Sequence, residues 1–311
     1  MKNILFCSDP MNSKKVDPEY ENEFNVCRKY NVNVGLIHYE EIMMGNIQKS
    51  VKNIPHSDEA AETVYRGWML SKENCILLYN ELLKKNVKLI NDPDKYLFCH
   101  YLPLNYETIK EWTPKTVWAD LAGGTEYDIF EVMKRIEIFN GKPVILKDYV
   151  KSQKHYWKEA CYIENSKDIN IVKSVIDRFI ELQGENLTGG LVFREFIEFE
   201  FLNCHPKSNM PLTKEFRLFF FKNRLAAEAR YWDEGIYTDD VIENIGIFKD
   251  IAEQVKSNFF SMDIAKSKTG KWWIVELGDG QVTGFPGSID TDSIYKKIIG
   301  QSELLSSEQV V

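Results

Sequence analysis

The chain has 311 residues, a net charge of −8 at pH 7, and 44% hydrophobic and 13% aromatic content. Such a length predicts two or three compact units rather than one, and the apolar content excludes a disordered chain. The acidic balance excludes a global pull toward nucleic acid or anionic membrane. Six cysteines (Cys7, Cys27, Cys75, Cys99, Cys161, Cys204) are scattered with no C-x-x-C pair. Reduced thiols of a cytoplasmic protein are the expectation, and a zinc site is not. The N-terminal apolar run is short and meets Asp9, which reads as a strand and not a signal peptide. No apolar stretch nears the roughly 20 residues of a membrane span, so no membrane partner is expected.

In chain order, residues 4–7, 34–37 and 64–67 read as strands, 19–30 as a helix, and Ser71 as the N-cap of a helix before a strand at 87–90. This βα alternation predicts a small parallel-sheet domain over 1–92. Arg66 at a strand end is either a ligand contact or a surface charge. Asn91-Asp92-Pro93-Asp94 marks a boundary. A helical stretch broken near Pro103 follows, then a strand at 117–119, a helix at 127–139, and the buried strand Lys142-Pro143-Val144-Ile145-Leu146-Lys147. The loop 147–158 is rich in lysine and aromatics, suited to phosphates, to stacked bases, or simply to solvent. A helix at 169–182 precedes a long strand, 191–201, with charges on both faces. A hairpin over 214–232 then sets Arg217 on one face with Glu228 and Arg230, if its turn is two residues long. Such a pair suits a bidentate grip on carboxylate or phosphate, or else a structural Arg–Glu–Arg ladder. A helix is expected over 242–257, and a frayed polar tail after 302.

The last hairpin concentrates acids. If Thr269-Gly270 is its two-residue loop, Lys268 pairs with Lys271 and Asp263 faces Glu276, with Asp279 close behind. Opposed carboxylates repel. A hard cation such as Mg²⁺ would compensate them; a hairpin with its acids in water is the alternative.

The order of these features resembles the ATP-grasp superfamily, most closely its R2K clade. It runs from Asp94-Lys95 through Thr113-Pro114-Lys115-Thr116, Lys142 to Lys147, an acid-bearing strand and an Arg-bearing hairpin, to Asp263, Glu276 and Asp279. The resemblance implies an α/β fold: an N-terminal βα domain (1–92), then a two-lobed ATP-grasp core (93–298) with antiparallel sheets and a small nucleotide lobe at about 115–202, then a tail (299–311). It implies ATP and Mg²⁺ as cofactors. Lys147 and Lys95 would hold phosphates. Arg194, Glu195 and Ile197 would form the hinge that meets adenine, and Glu200 would lie toward the ribose. Asp263, Glu276 and Asp279 would bind metal, Asp279 standing where the family usually has Asn. Arg217 and Arg230 would steady the γ-phosphate or an acyl-phosphate oxyanion. The implied activity is ATP-dependent ligation of a small-molecule or peptide carboxylate to an amine through an acyl phosphate. The rival readings are an ATP-binding regulatory module without ligation, and a nucleic-acid-binding protein using the 147–158 loop, which the net charge disfavours.

Overall fold

The computed structural model describes residues 3–207, 210–239 and 241–300. Its first unit runs β1 (Asn3–Asp9), β2 (Asn12–Val16), α1 (Glu21–Lys29), β3 (Asn33–Ile37), α2 (Tyr39–Met43), α3 (Ile47–Ser50), β4 (Ala61–Arg66), α4 (Lys72–Leu83) and β5 (Val87–Leu89). β1 pairs in parallel with β3 and β4, and β4 with β5. The expected parallel sheet therefore forms, with one unexpected hairpin where β2 folds back on β1. Ser71 caps α4 by accepting from the Asn74 N–H.

Asp92 caps α5 (Pro93–His100), accepting from the Lys95 N–H at 2.9 Å. α6 (Leu102–Ile109) follows after a break at Tyr101. Pro103 lies in the first turn of α6, where its missing N–H costs no helical bond; the break precedes it.

The small lobe comprises β6 (Thr116–Asp120), α7 (Ile129–Ile136), β7 (Val144–Lys147), α8 (Trp157–Ala160), β8 (Tyr162–Ile163), α9 (Ile169–Gln183) and β9 (Gly190–Glu195), with strand order β6-β9-β7-β8. Alternation sorts β7 and β9. Val144, Leu146, Leu191 and Phe193 enter the core under α7 and α9. Ile145, Lys147, Val192 and Arg194 share the opposite face. β9 stops at Glu195 instead of running to 201, and irregular backbone carries the chain to the large lobe.

That lobe contains β10 (Phe201–Cys204), β11 (Pro211–Thr213), β12 (Glu215–Phe221), β13 (Arg224–Arg230), α10 (Ile245–Ala252), β14 (Phe259–Lys266), β15 (Trp272–Asp279) and α11 (Thr291–Ile299). α10 occupies only part of the expected 242–257 helix. The main sheet is antiparallel, in the order β13-β12-β14-β15. One face, including Phe216, Leu218, Phe220, Phe260, Met262 and Leu277, lies in a core with α5 and α10. The other face is divided. Phe219, Phe221 and Phe259 join the core of the N-terminal unit together with Ile294 and Tyr295 of α11, so a single core runs across residue 92. The remaining part of that face carries polar groups.

Candidate active site

Asp263 of β14 lies directly across from Glu276 of β15. The turn that achieves this differs from the expected one. Ser267 N–H donates to Lys271 O, Lys266 pairs with Trp272, and Gly270 takes a left-handed φ of +87°. The loop is thus one residue longer, and by itself it would pair Asp263 with Val275. A bulge between Ile264 and Asp263 makes Val275 the extra residue and returns Glu276 to the Asp263 face.

Arg217 of β12 is the next neighbour on this face, paired with Asp263. Its guanidinium grips the carboxylate with both arms, Nε to Oδ1 at 2.7 Å and Nη2 to Oδ2 at 2.8 Å. It also lies 4.8 Å from the centre of the Tyr231 ring. From the small lobe, Lys147 reaches across so that its Nζ is 3.4 Å from Glu276 Oε2. The Lys147 side chain is almost buried, at 8% exposure, while that of Glu276 is 48% exposed. The cluster therefore sits at a cleft between lobes and has one wet edge.

Two further groups belong to it that the motif order did not mark. Glu215 lies two residues before Arg217 on β12, hence on the same face. Burial pushes its carboxyl up to about 7, with Asp263 adding to the effect, against Thr213, Lys154 and Arg217. The E-x-R spacing on a strand is the signal that could have found it. Lys154 projects from the loop after β7. Crowding by the surrounding protein opposes its charge although the residue keeps an exposed surface, and the combined fields of Tyr231, Glu276, Glu215 and Asp263 hold its pKa above the ordinary value. For Glu276, partial burial is outweighed by Lys147, Lys154, Arg217 and Arg194, and its carboxyl stays below the usual range. Burial lifts the Asp263 carboxyl despite Arg217. His100, at the end of α5, has a buried Nε2 without a hydrogen-bond partner among the described residues. Burial holds its imidazole down at about 4, so it is neutral at pH 7.

Other expected residues are not brought here. A bulge between Phe219 and Phe220 pairs Arg217 with Ala229 and Phe216 with Arg230. Arg230 is therefore carried to the opposite face, against the Tyr237 ring, and the expected arginine pair does not form. Asp279 also points away: three residues beyond Glu276 on a strand is the other face. It is fully buried, accepting from Asn91 Nδ2 at 2.7 Å and from the Gln281 N–H at 2.8 Å. The position that does share the Glu276 face is Gly278, opposite Ser261. Lys95 pairs with Asp92 at 2.9 Å. It lines a groove with Asn223, Lys256 and Asn258, none of which belongs to the cluster. Glu195 is bound by Lys142 at 2.7 Å, and Ile197 lies in the irregular backbone between lobes. Arg194 sends its side chain away from the hinge backbone, to Val275 O and Thr113 Oγ1. Arg66 is entirely buried against Glu23 and so is neither of the things the sequence suggested. In the basic loop, Trp157 stacks on Tyr162 with ring centres 5.4 Å apart. That ring face is occupied, which weakens the base-stacking reading.

The compensation required by the facing acids is supplied by Arg217 and Lys147, so the pair alone does not demand a metal. It does fit one. Mg²⁺ is commonly held by one or two carboxylates, with water and substrate phosphates completing its shell. Asp263 and Glu276 supply that number. Among the described residues no group of three or more His, Cys, Asp or Glu side chains forms a metal site.

Comparison with known proteins gives this arrangement a family. No curated protein matches the sequence. Among solved structures, the chain is similar to the RimK domain protein ATP-grasp from Sphaerobacter thermophilus DSM 20745, at 13% identity and a TM-score of 0.55, covering 96% of this chain and 98% of that one. It is similar to the ATP-grasp ligase PsnB complexed with minimal precursor, Mg and ADP, at 12% identity and a TM-score of 0.54, covering 97% and 98%. It is also similar to the D-cycloserine synthetase DcsG, at 10% identity and a TM-score of 0.59, covering 96% and 99%. At such identities these likenesses show the fold, and the fold is that of ATP-grasp ligases. The model of the ATP-grasp domain, R2K clade family 3, matches residues 139–298, just over half of the chain. The chain belongs to the R2K clade of ATP-grasp domain proteins.

Proposed function

We propose that this chain is an ATP- and Mg²⁺-dependent ligase that joins a carboxylate to an amine through an acyl phosphate. The observation that carries the reading is the meeting of Lys147 with Glu276 across the interlobe cleft, opposite Asp263 and beside Arg217. Phosphoryl transfer asks a protein to position charge more than to supply a covalent nucleophile. Lys147, nearly buried on the small lobe, is suited to hold phosphate oxygens of ATP. Asp263 and Glu276 would hold Mg²⁺, which supplies neutralisation of the phosphate charge. Arg217 can exchange the Asp263 carboxylate for oxygens of the transferred group, because a guanidinium fork fits either partner. Lys154, whose charge feels Glu276, Glu215 and Asp263, would add a second cation from the loop. Arg230, Asp279 and Lys95 have no role in this reading. The working unit is 93–298, and the 1–92 unit packs on the same sheet face as the cluster through Phe219, Phe221 and Phe259. A peptide is a reasonable substrate class to try, since PsnB is described with a precursor.

The test is release of ADP and phosphate by the purified protein, with Mg²⁺, across a panel of carboxylates and amines. Release that needs both substrates and disappears in D263N and E276Q is the expected result. Tight ATP binding with no such release from any pair would favour the regulatory reading. Full turnover in both variants would remove the metal assignment.

A further inference from the structure

The facing of Asp263 and Glu276 depends on the single extra residue in β15. Ile264 pairs with Ile274, and continuing that register would set Asp263 against Val275 and turn Glu276 to the opposite face. Something must hold the bulge, because an extra residue takes its own backbone groups out of the ladder. Among the described residues β15 has no neighbouring strand on its outer side. The segment before β6 takes that place. Ile274 N–H donates to Trp112 O at 2.6 Å, and Thr113 Oγ1 donates to Ile274 O at 2.8 Å. Arg194 completes the set, giving Nη1 to Val275 O at 2.7 Å and Nη2 to Thr113 Oγ1 at 2.7 Å.

Arg194 is unusual in its surroundings. The side chain is buried, at 8% exposure, and neither of its two hydrogen-bond acceptors is a carboxylate. A buried guanidinium without a direct acid partner is costly. Among the described residues the carboxylate whose field acts on it is Glu276, the residue next to the carbonyl it holds, with a smaller contribution from the Tyr106 phenol. Charge and geometry therefore converge on one point of β15.

We infer that Arg194 is a positioning residue: with Thr113, it clamps the Val275 bulge and so keeps Glu276 facing Asp263 across the cleft. The clamp also links the lobes, since Arg194 belongs to β9 of the small lobe and Val275 to the large one. The inference rests on the reading of Asp263 and Glu276 as the working acid pair. It replaces the expected role of Arg194 at the adenine.

The test compares ATP affinity with Mg²⁺ and with EDTA for wild type, R194M, R194K, T113V, E276Q and R194M/E276Q. R194M is expected to weaken Mg²⁺-dependent ATP binding by about 10- to 100-fold, the usual effect of losing a group that orients a metal ligand. Its affinity for metal-free ATP should be unchanged. T113V should shift the same way by less. R194K, with one point donor in place of a fork, should recover part of the loss. R194M/E276Q should be no worse than E276Q. Wild-type Mg²⁺-dependent affinity in R194M would overturn the inference. So would an equal loss in EDTA, which would mean direct nucleotide contact, or a further loss on the E276Q background. Wild-type behaviour of E276Q would instead sink the reading of the acid pair. In that case a crystal structure of R194M still decides the clamp: a β15 register shifted at Val275 supports it, and an unchanged one refutes it.

Discussion

Arg217 and Asp263 face each other on adjacent strands and are joined by two parallel hydrogen bonds, at 2.7 and 2.8 Å. The acid proposed to hold Mg²⁺ is thus already held by the arginine proposed to hold phosphate. Both roles draw on the same two oxygens, so cation and arginine would compete for one carboxylate. R217M should therefore separate binding from turnover. Mn²⁺ titrated without nucleotide, followed by electron paramagnetic resonance, should bind R217M more tightly than wild type. ADP release should fall by about 10²- to 10³-fold, the scale for losing one preorganised donor to developing charge. Both quantities falling together would mean that Arg217 only supports the fold there.

Lys147 is the cluster's link to the small lobe, and its near-complete burial leaves little solvent to replace its charge. K147M should raise the dissociation constant for ATP by about 10- to 100-fold, matching the 1.5–3 kcal/mol of a hydrogen bond to a charged group. The loss should persist in EDTA, because the proposed contact of Lys147 is with phosphate directly. This separates it from the expected behaviour of R194M. Calorimetric titration with a non-hydrolysable ATP analogue measures both, and unchanged affinity would remove Lys147 from the site.

How far the site could be read from the sequence turned on single residues. The facing of Asp263 and Glu276 was legible, but for an incomplete reason: a longer turn and a bulge at Val275 offset each other by one residue. The bulge has a trace, since the buried positions Trp272, Ile274 and Leu277 step by two and then by three. It is hard to see in a run where Trp273 and Val275 are also apolar. At Arg230 the same kind of event worked the other way, because nothing in Leu225-Ala226-Ala227 betrays the shift after Phe219. The parallel sheet of the first unit and the strands bearing Lys147 and Arg217 were legible from alternation, which depends only on local period. The fates of Lys95, Asp279 and Arg66 were set by partners that spacing cannot supply. The Lys95 ammonium is taken by its own helix cap, Asp92; Asp279 is held by Asn91, 188 residues away, and Arg66 by Glu23.

Arg66 illustrates a strand-end arginine with a purely architectural task. Its Nε and Nη2 meet Glu23 at 2.7 and 2.8 Å, and Nη1 donates to the carbonyls of Gly280 and Thr283. Tyr295 of α11 donates to the same glutamate. The network ties the N-terminal unit to the segment after β15. R66M should destabilise the protein by about 3–5 kcal/mol, because it leaves the buried Glu23 without its counter-ion and with only the Tyr295 hydroxyl as donor. R66M/E23L should recover much of that loss. Chemical denaturation gives both values; R66M with wild-type stability would show that the network contributes nothing net.

Asp279 supplies a pH dependence that is separable from catalysis. Burial lifts its carboxyl from the ordinary 3.8 to about 7, although Asn91 and Gln281 donate to it. In the unfolded chain it ionises near 4. Between these values the folded state binds the proton and the unfolded state does not. Its contribution to stability is therefore fully present below about pH 4 and is lost as pH rises through 7. Within that window one proton corresponds to a slope of about 1.4 kcal/mol per pH unit. D279N cannot ionise, and its Oδ1 can still accept one of the two donated bonds. The variant should lose this component of the slope between pH 5 and pH 7, and its stability relative to wild type should improve up to about pH 7 and level off above it. Urea denaturation of both proteins across this range is the measurement. Parallel curves would mean that Asp279 is ionised throughout, held so by Asn91 and the Gln281 amide.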